Sequence, residues 1–190
     1  MPVLYARIPE DRIAVLIGPG GRTRRRIADA TGAQVEIDAE EGEVTVSSAE
    51  TDPLGALKAR DIVLAIGRGF SPERAMRLAR DNTFLGILDI KRTTGHRDKP
   101  ALRRIRARVI GTRGHARSRI EELSGCSMSV YGSTVALIGD EEQLQRATRA
   151  VELLLRGSEH STVFHMLARL RRDAAIDEVF SPDPTLTDGP

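Results

Sequence analysis

Ile17-Gly18-Pro19-Gly20-Gly21-Arg22-Thr23-Arg24-Arg25-Arg26-Ile27 and Ile110-Gly111-Thr112-Arg113-Gly114-His115-Ala116-Arg117-Ser118-Arg119-Ile120 are two copies of one pattern. The offset from Gly18 to Gly111 is 93 positions, and it holds without a gap for Gly21/Gly114, Arg24/Arg117, Ile27/Ile120, Gly32/Gly125 and Ile37/Val130. One Gly-x-x-Gly by itself would be no more than a turn that breaks a helix. A matched run of glycines, arginines and aliphatics marks an internal repeat, and a repeat decides the architecture before any single element does.

Outward from the first loop, Val3 to Ile8 reads as a strand, and Pro9 opens a helix with Ile13, Leu16 and Ile17 on one face. Gly18 to Gly21 break that helix. Arg22 to Ala30 restart one, and Gly32 ends it. Val35 and Ile37 alternate with Glu36 and Asp38 as in a half-buried strand, Glu41-Gly42-Glu43 turns, and Val44 and Val46 return. A helix from about Pro53 to Ile66 closes the unit. The second copy gives the same order: a strand at Ile87 to Lys91, a helix opened by Pro100, and the glycine break. A helix from His115 to Ser124 follows, then a hairpin about Gly132-Ser133 and a helix from Glu141 to Arg156. The predicted fold is α+β, two β-α-α-β-β-α units, each a three-stranded antiparallel sheet covered by helices on one face. The units span 1–70 and 86–172. A linker helix at 71–85 starts at Ser71-Pro72 and dies near Asn82. An extra amphipathic helix bears Val163, Met166, Leu167 and Leu170. The acidic tail at 173–190, with Pro182 and Pro184, is expected to be disordered.

Glycines let the backbone approach a ligand, and the helix that follows points its free N–H groups and positive end at the same spot. The natural guest is a phosphate. Two such loops in this context resemble tandem type I KH domains, whose loop clamps a four-nucleotide backbone. The candidate RNA-binding residues are Gly18, Pro19, Gly20, Gly21, Arg22, Arg24 and Arg25 at the first loop. At the second they are Gly111, Thr112, Arg113, Gly114, His115, Arg117 and Arg119, with Arg104 and Arg108 on the helix before it. Ile13, Ile17, Ile27, Val35 and Ile37 would line a shallow aliphatic groove for bases. Aromatic residues are only 3% and Trp is absent, which excludes a sheet that stacks bases on rings. The second loop carries a cation, Arg113, where the first has Pro19-Gly20, so the second domain is expected to be the principal RNA binder.

Net charge is only +2 over 190 residues, so its distribution matters more than its sum. The lysines are Lys58, Lys91 and Lys99; every other strong cation is Arg, which suits bidentate phosphate contacts. Cys126 stands alone, without a partner for a disulfide. The N-terminal stretch has no signal-peptide core, and the run Ile62 to Ile66 is too short to span a bilayer. A cytoplasmic protein is expected. Catalysis finds no support. There is no Gly-Lys pair for a P-loop, the spacing of Gly18, Gly20 and Gly21 does not continue into a dinucleotide fingerprint, and no His-Glu-x-x-His occurs. No cofactor or metal is expected.

Four stretches narrow the family: Arg108-Val109-Ile110-Gly111, Ile120-Glu121-Glu122-Leu123-Ser124-Gly125, Ser129-Val130-Tyr131-Gly132 and His160-Ser161-Thr162-Val163. They resemble the archaeal relatives of the ribosome-assembly factor called partner of Nob one, close also to the Krr proteins. That resemblance implies single-stranded RNA binding near the 3′ end of the small-subunit ribosomal RNA precursor, beside the Nob endonuclease that makes the final cut. It also implies contact with the alpha subunit of initiation factor two. Eukaryotic members lack the first glycine loop, whereas Gly18 and Gly21 keep it here, so RNA and protein both stand as ligands for the first domain. Arg24 and Arg117 occupy a position that is aliphatic in generic KH domains, a family-like feature that offers a further phosphate contact. The alternative is a KH module of another RNA-processing or degradation system.

Overall fold

The computed structural model describes residues 3–50 and 52–180, with side chains to Ile176. The first unit runs β1 (Val3–Arg7), α1 (Glu10–Ile17), α2 (Arg22–Thr31), β2 (Gln34–Asp38), β3 (Glu43–Ser47) and α3 (Pro53–Gly67). A short α4 (Pro72–Ala75) and a 3-10 turn (Met76–Ala79) follow. The second unit runs β4 (Phe84–Asp89), α5 (Ile90–Thr94), α6 (Lys99–Ile110), α7 (His115–Ser124), β5 (Ser127–Tyr131), β6 (Thr134–Gly139) and α8 (Glu141–Leu155). It ends in α9 (His160–Phe180). Both sheets are antiparallel with the same order, β1-β3-β2 and β4-β6-β5. The return strand of each hairpin takes the centre.

The alternation read from the sequence sets the faces. Val35 pairs with Val46 and Ile37 with Val44, all turned toward the helices, while Gln34, Glu36 and Asp38 face solvent. Leu16, Ile27, Ile62, Val63 and Ile66 complete an aliphatic core under α1 to α3. Helix starts are set by short polar caps. Asp52 accepts from the Gly55 N–H (3.0 Å), Asp98 from the Ala101 N–H (2.9 Å), and Asp140 forms a reciprocal capping box with Gln143. Gly32 and Gly125 end α2 and α7 in the left-handed conformation.

The first sheet is covered by helices on one face. The second is covered on its outer face as well, because the first unit and the linker dock there. Ala136 and Ile138 of β6 share a core with Phe70, Ala75 and Leu78, and all five are buried. Arg77 donates to Ser127 Oγ (2.5 Å), Ser129 Oγ donates to the Arg68 carbonyl (2.9 Å), Arg74 pairs with Glu121, and Tyr131 bonds Asp11. Gly69 makes the approach possible: a Cβ there would lie 2.8 Å from Ser129 Oγ and 2.9 Å from Tyr131 Cβ, at a φ of +93°.

Several expectations shift. The strand placed at Ile87 to Lys91 is Phe84 to Asp89, and Ile90 and Lys91 belong to α5, because the Asp89 carboxylate accepts from the Arg92 N–H (3.0 Å) and starts a helical turn. The linker helix does not reach Asn82: Arg80 is extended and Asn82 has a φ of +54°. The tail expected to lose structure from Asp173 is helical as far as Phe180; positions 181–190 lie outside the described residues.

Candidate nucleic-acid interface

Each glycine loop sits where an abrupt change of direction joins two helices. The two loops superpose residue for residue in backbone angles. Gly18 (φ 69°, ψ 171°) matches Gly111 (φ 74°, ψ 172°), Gly20 (φ 58°, ψ 27°) matches Arg113 (φ 53°, ψ 27°), and Gly21 (φ 75°) matches Gly114 (φ 77°). The leading glycine is required by space as well as by φ. A Cβ on Gly18 would lie 2.2 Å from Thr23 Oγ1, and one on Gly111 would lie 2.6 Å from Ala116 Cβ. The closing glycines meet nothing within 4 Å, so φ alone selects them. Neither α2 nor α7 has a side-chain cap. The Arg22 and His115 N–H groups turn back onto the Pro19 and Thr112 carbonyls, so no side chain blocks an anion from the positive end of either helix.

The side chains differ more than the backbones. At the first loop, Arg22 Nε donates to the Pro19 carbonyl (3.3 Å) and Arg25 Nη2 to the Gly20 carbonyl (2.7 Å), so these cations fold back onto their own loop. The cleft between α2 and β2 has a volume of about 260 Å³, and Glu36 lines it opposite Arg24 and Arg25. Glu36, Asp38, Glu40 and Glu43 border the next hollow along that strand. At the second loop Arg113 is exposed in a left-handed conformation rare for a residue with a Cβ. Arg103 and Arg104 are exposed on α6. The facing strand β5 and its turn, Ser127 to Ser133, carry no charge.

Arg108 and His160 brace the second loop from behind. Arg108 Nη2 donates to the carbonyls of Gly157 (2.7 Å) and Ser158 (2.5 Å), and His160 Nε2 donates to the Arg108 carbonyl (2.8 Å). Phe164 on α9 lies between His160 and His115, with ring centres 6.0 and 6.3 Å away. The family-like stretches at Arg108 and His160 thus meet in space, and α9 holds the end of α6 and the start of α7. Arg119 is tied to Glu122 (2.8 Å). Arg117 is half-buried, and its Nε has no hydrogen-bond partner. Gly111, Thr112, Arg113, Gly114, His115 and Arg117 stand together at the loop; Arg104 is exposed further back on α6, where its charge acts on Asp98, and Arg108 serves as a strut.

The apolar groove is built from other residues than expected. Ile13, Ile27 and Val35 are buried in the first core and cannot meet a base; only Ile17 and Ile37 are half-exposed. In the second cleft Ile105, Ile110 and Val130 are the half-exposed aliphatics. Strand parity could have found Val130, which lies 93 positions after Ile37. Cys126 is buried, and its thiol is pushed up to about 12, first by desolvation and then by the Asp140 charge, far from a nucleophile at neutral pH. Among the described residues there is no cluster of His, Cys, Asp and Glu fit to hold a metal, and no helix long and apolar enough to cross a membrane.

Fold and loops together define a tandem KH protein, the class of single-strand RNA binders that grip a backbone at a glycine loop. Comparison with known proteins agrees and narrows it. Residues 4–64 match the KH domain model, and residues 84–172 match a model described as a eukaryotic type KH-domain, KH-domain type I. A KH domain-containing protein of Methanocaldococcus jannaschii is 45% identical over 168 residues, 87% of this chain and 73% of the relative. The crystal structure of Dim2p from Pyrococcus horikoshii OT3 is similar with a TM-score of 0.83 at 48% identity, over 89% of this chain and 99% of that one. The a/eIF2alpha–aDim2p–rRNA complex from the same organism matches at a TM-score of 0.85 and 48% identity, over 90% and 95% of the two chains. The chain belongs to the KH-domain family, and within it to the archaeal Dim2p-like group that the second-half stretches resemble.

Proposed function

We propose that this chain is a non-catalytic RNA-binding assembly factor for the small ribosomal subunit. It holds single-stranded RNA near the 3′ end of the small-subunit ribosomal RNA precursor and presents it for endonucleolytic maturation by the Nob endonuclease. The rRNA and the initiation factor alpha subunit found with the similar Pyrococcus chain are the partners this reading carries over. The observation that carries it is Arg113. An exposed cation is held at a strained positive φ at a helix start, a cost that a role in binding accounts for, and a phosphate there meets the guanidinium and the positive end of α7 together. The second cleft is the principal site. In the first, Glu36 stands across from the arginines and opposes a phosphate, which leaves that cleft weaker for RNA.

Binding of single-stranded RNA should be chiefly electrostatic, with log affinity falling against log salt at a slope of about −3 to −4 if ~4–6 phosphates are neutralised. The deciding experiment is crosslinking of the full chain in native ribosome precursors with the RNA position read out. Crosslinks at the 3′ end of the small-subunit RNA support the reading; crosslinks scattered over messenger RNA replace it with another RNA-processing system.

A further inference from the structure

The two units differ by an insertion. In the first, β1 ends at Arg7 and α1 begins at Glu10; in the second, residues 90–98 lie between β4 and α6 and include the short helix α5. This insertion is basic. From Ile90 to Arg108 the chain holds eight Lys and Arg against one carboxylate, Asp98, and from Lys99 to Ile120 it holds no carboxylate at all. That charge stands in a chain whose net charge is only +2.

Among the described residues these cations form no ion pair. Lys91, Arg92, Arg97 and Lys99 are exposed. Lys91, Arg92 and Arg97 line an open hollow of about 330 Å³ together with Asp89, three cations to one carboxylate. The two carboxylates nearby each accept a helix-start N–H, Asp89 from Arg92 (3.0 Å) and Asp98 from Ala101 (2.9 Å), and the cations outnumber them. The Asp98 carboxyl is held below its usual range by that N–H first, with His96 and Arg104 adding positive field. The insertion also adjoins the RNA cleft. The Ile90 N–H donates to the Ser133 carbonyl (2.8 Å), and Arg106 Nη1 donates to the Gly132 carbonyl (3.1 Å). Both anchors are the β5–β6 turn that ends the cleft opposite the glycine loop.

We infer that Lys91, Arg92 and Arg97 form a second phosphate-binding station for the same RNA strand, outside the clamp at Gly111 to Gly114. The station rests on the reading of the second cleft as the RNA site. A strand gripped at the loop runs along α6, past Arg104 and Arg103, and its flanking phosphates reach the insertion. Helix α6 has twelve residues, about 18 Å at the usual rise, so only an RNA longer than the clamped four nucleotides can occupy both. The station reads backbone, not bases, because it offers charge and no apolar wall.

The test uses the full chain and two single-stranded RNAs from the 3′ end of small-subunit ribosomal RNA, about 5 and about 12 nucleotides long, with affinity measured against salt. The wild-type protein should bind the longer RNA with a log–log slope steeper by about 2, since three added contacts contribute about 0.7 each. Lys91→Glu with Arg92→Glu and Arg97→Glu should weaken the longer RNA by at least about tenfold, leave the shorter one unchanged, and bring the two slopes together. The glutamine version of the same triple variant repeats the comparison should the glutamates disturb α5, and circular dichroism monitors both. Unchanged binding of the longer RNA overturns the second station while leaving the clamp intact. Failure of the wild-type protein to bind either RNA overturns the reading of the cleft itself.

Discussion

Gly20 and Arg113 occupy the same left-handed backbone position, φ 58° against 53°, in loops that otherwise superpose. One copy of the repeat fills it with the residue that suits it; the other places an arginine there. A side chain in this region is strained by about 1–2 kcal/mol. Arg113→Gly should therefore raise stability, by about 1 kcal/mol once the added freedom of the unfolded chain is subtracted. The same change should weaken single-stranded RNA binding about tenfold, as loss of one well-placed charged contact does. Urea unfolding and a salt-resolved binding titration read the two effects. A variant that loses both stability and affinity would show that Arg113 serves the fold.

The two glycines that frame the loop should not be equivalent. At Gly111 an added Cβ meets Ala116 Cβ at 2.6 Å and Ala116 N at 2.7 Å, whereas at Gly114 it meets nothing within 4 Å. Gly111→Ala combines a clash with positive φ and should cost about 3 kcal/mol or more; Gly114→Ala carries the φ strain alone, about 1–2 kcal/mol. Denaturant midpoints give the comparison directly. Equal losses would mean that the loop relaxes around Ala116.

The repeat was legible because its determinants are local. Glycine at a helix break, the alternation Val35-Glu36-Ile37-Asp38 and the glycine stops at Gly32 and Gly125 each act within a few residues. What stayed hidden depends on distant parts of the chain. Ile13, Ile27 and Val35 are apolar on a face the sequence could not divide between groove and core; their burial follows from how close α1 and α2 come to β2. Gly86, and Ile87 on the outer face, blur the start of β4. The role of Arg108 needed the loop between α8 and α9, half a hundred residues further on, to supply the Gly157 and Ser158 carbonyls. The covered outer face of the second sheet needed the whole first domain.

That covered face makes a third prediction. Ile138 is fully buried, on the β6 face turned toward Phe70 and Leu78 rather than toward its own helices. Ile138→Ala should cost about 2–4 kcal/mol. Ile138→Asp, which puts a carboxylate into the shared core, should undock the domains and split one unfolding transition into two. The core of the second domain, with Val135 and Leu137 on the opposite parity, stays intact. Calorimetry distinguishes a single peak from two. A single peak in Ile138→Asp at unchanged enthalpy would show that the interface contributes nothing to cooperativity.

Cys126 supplies a prediction in pH. Its thiol is raised from 9.0 to about 12, first by desolvation and then by the Asp140 charge. Below pH 9 the thiol is protonated in both the folded and unfolded chains, and it adds no pH dependence. Above pH 9 the unfolded thiol ionises while the folded one does not. The unfolded state then binds fewer protons, and stability falls as pH rises toward 12, by up to about 4 kcal/mol for a gap of this size. Tyr131 is also raised, through its bond to Asp11, and slopes the same way, so the contribution of Cys126 is the difference between the wild type and Cys126→Ala. At pH 8 the native thiol should resist alkylation and react only after unfolding, because the thiolate is the nucleophile and the group is buried. Rapid alkylation of the folded protein at pH 8, or an alkaline slope identical in Cys126→Ala, would place the thiol nearer solvent than its packing under α8 and against Gly139 allows.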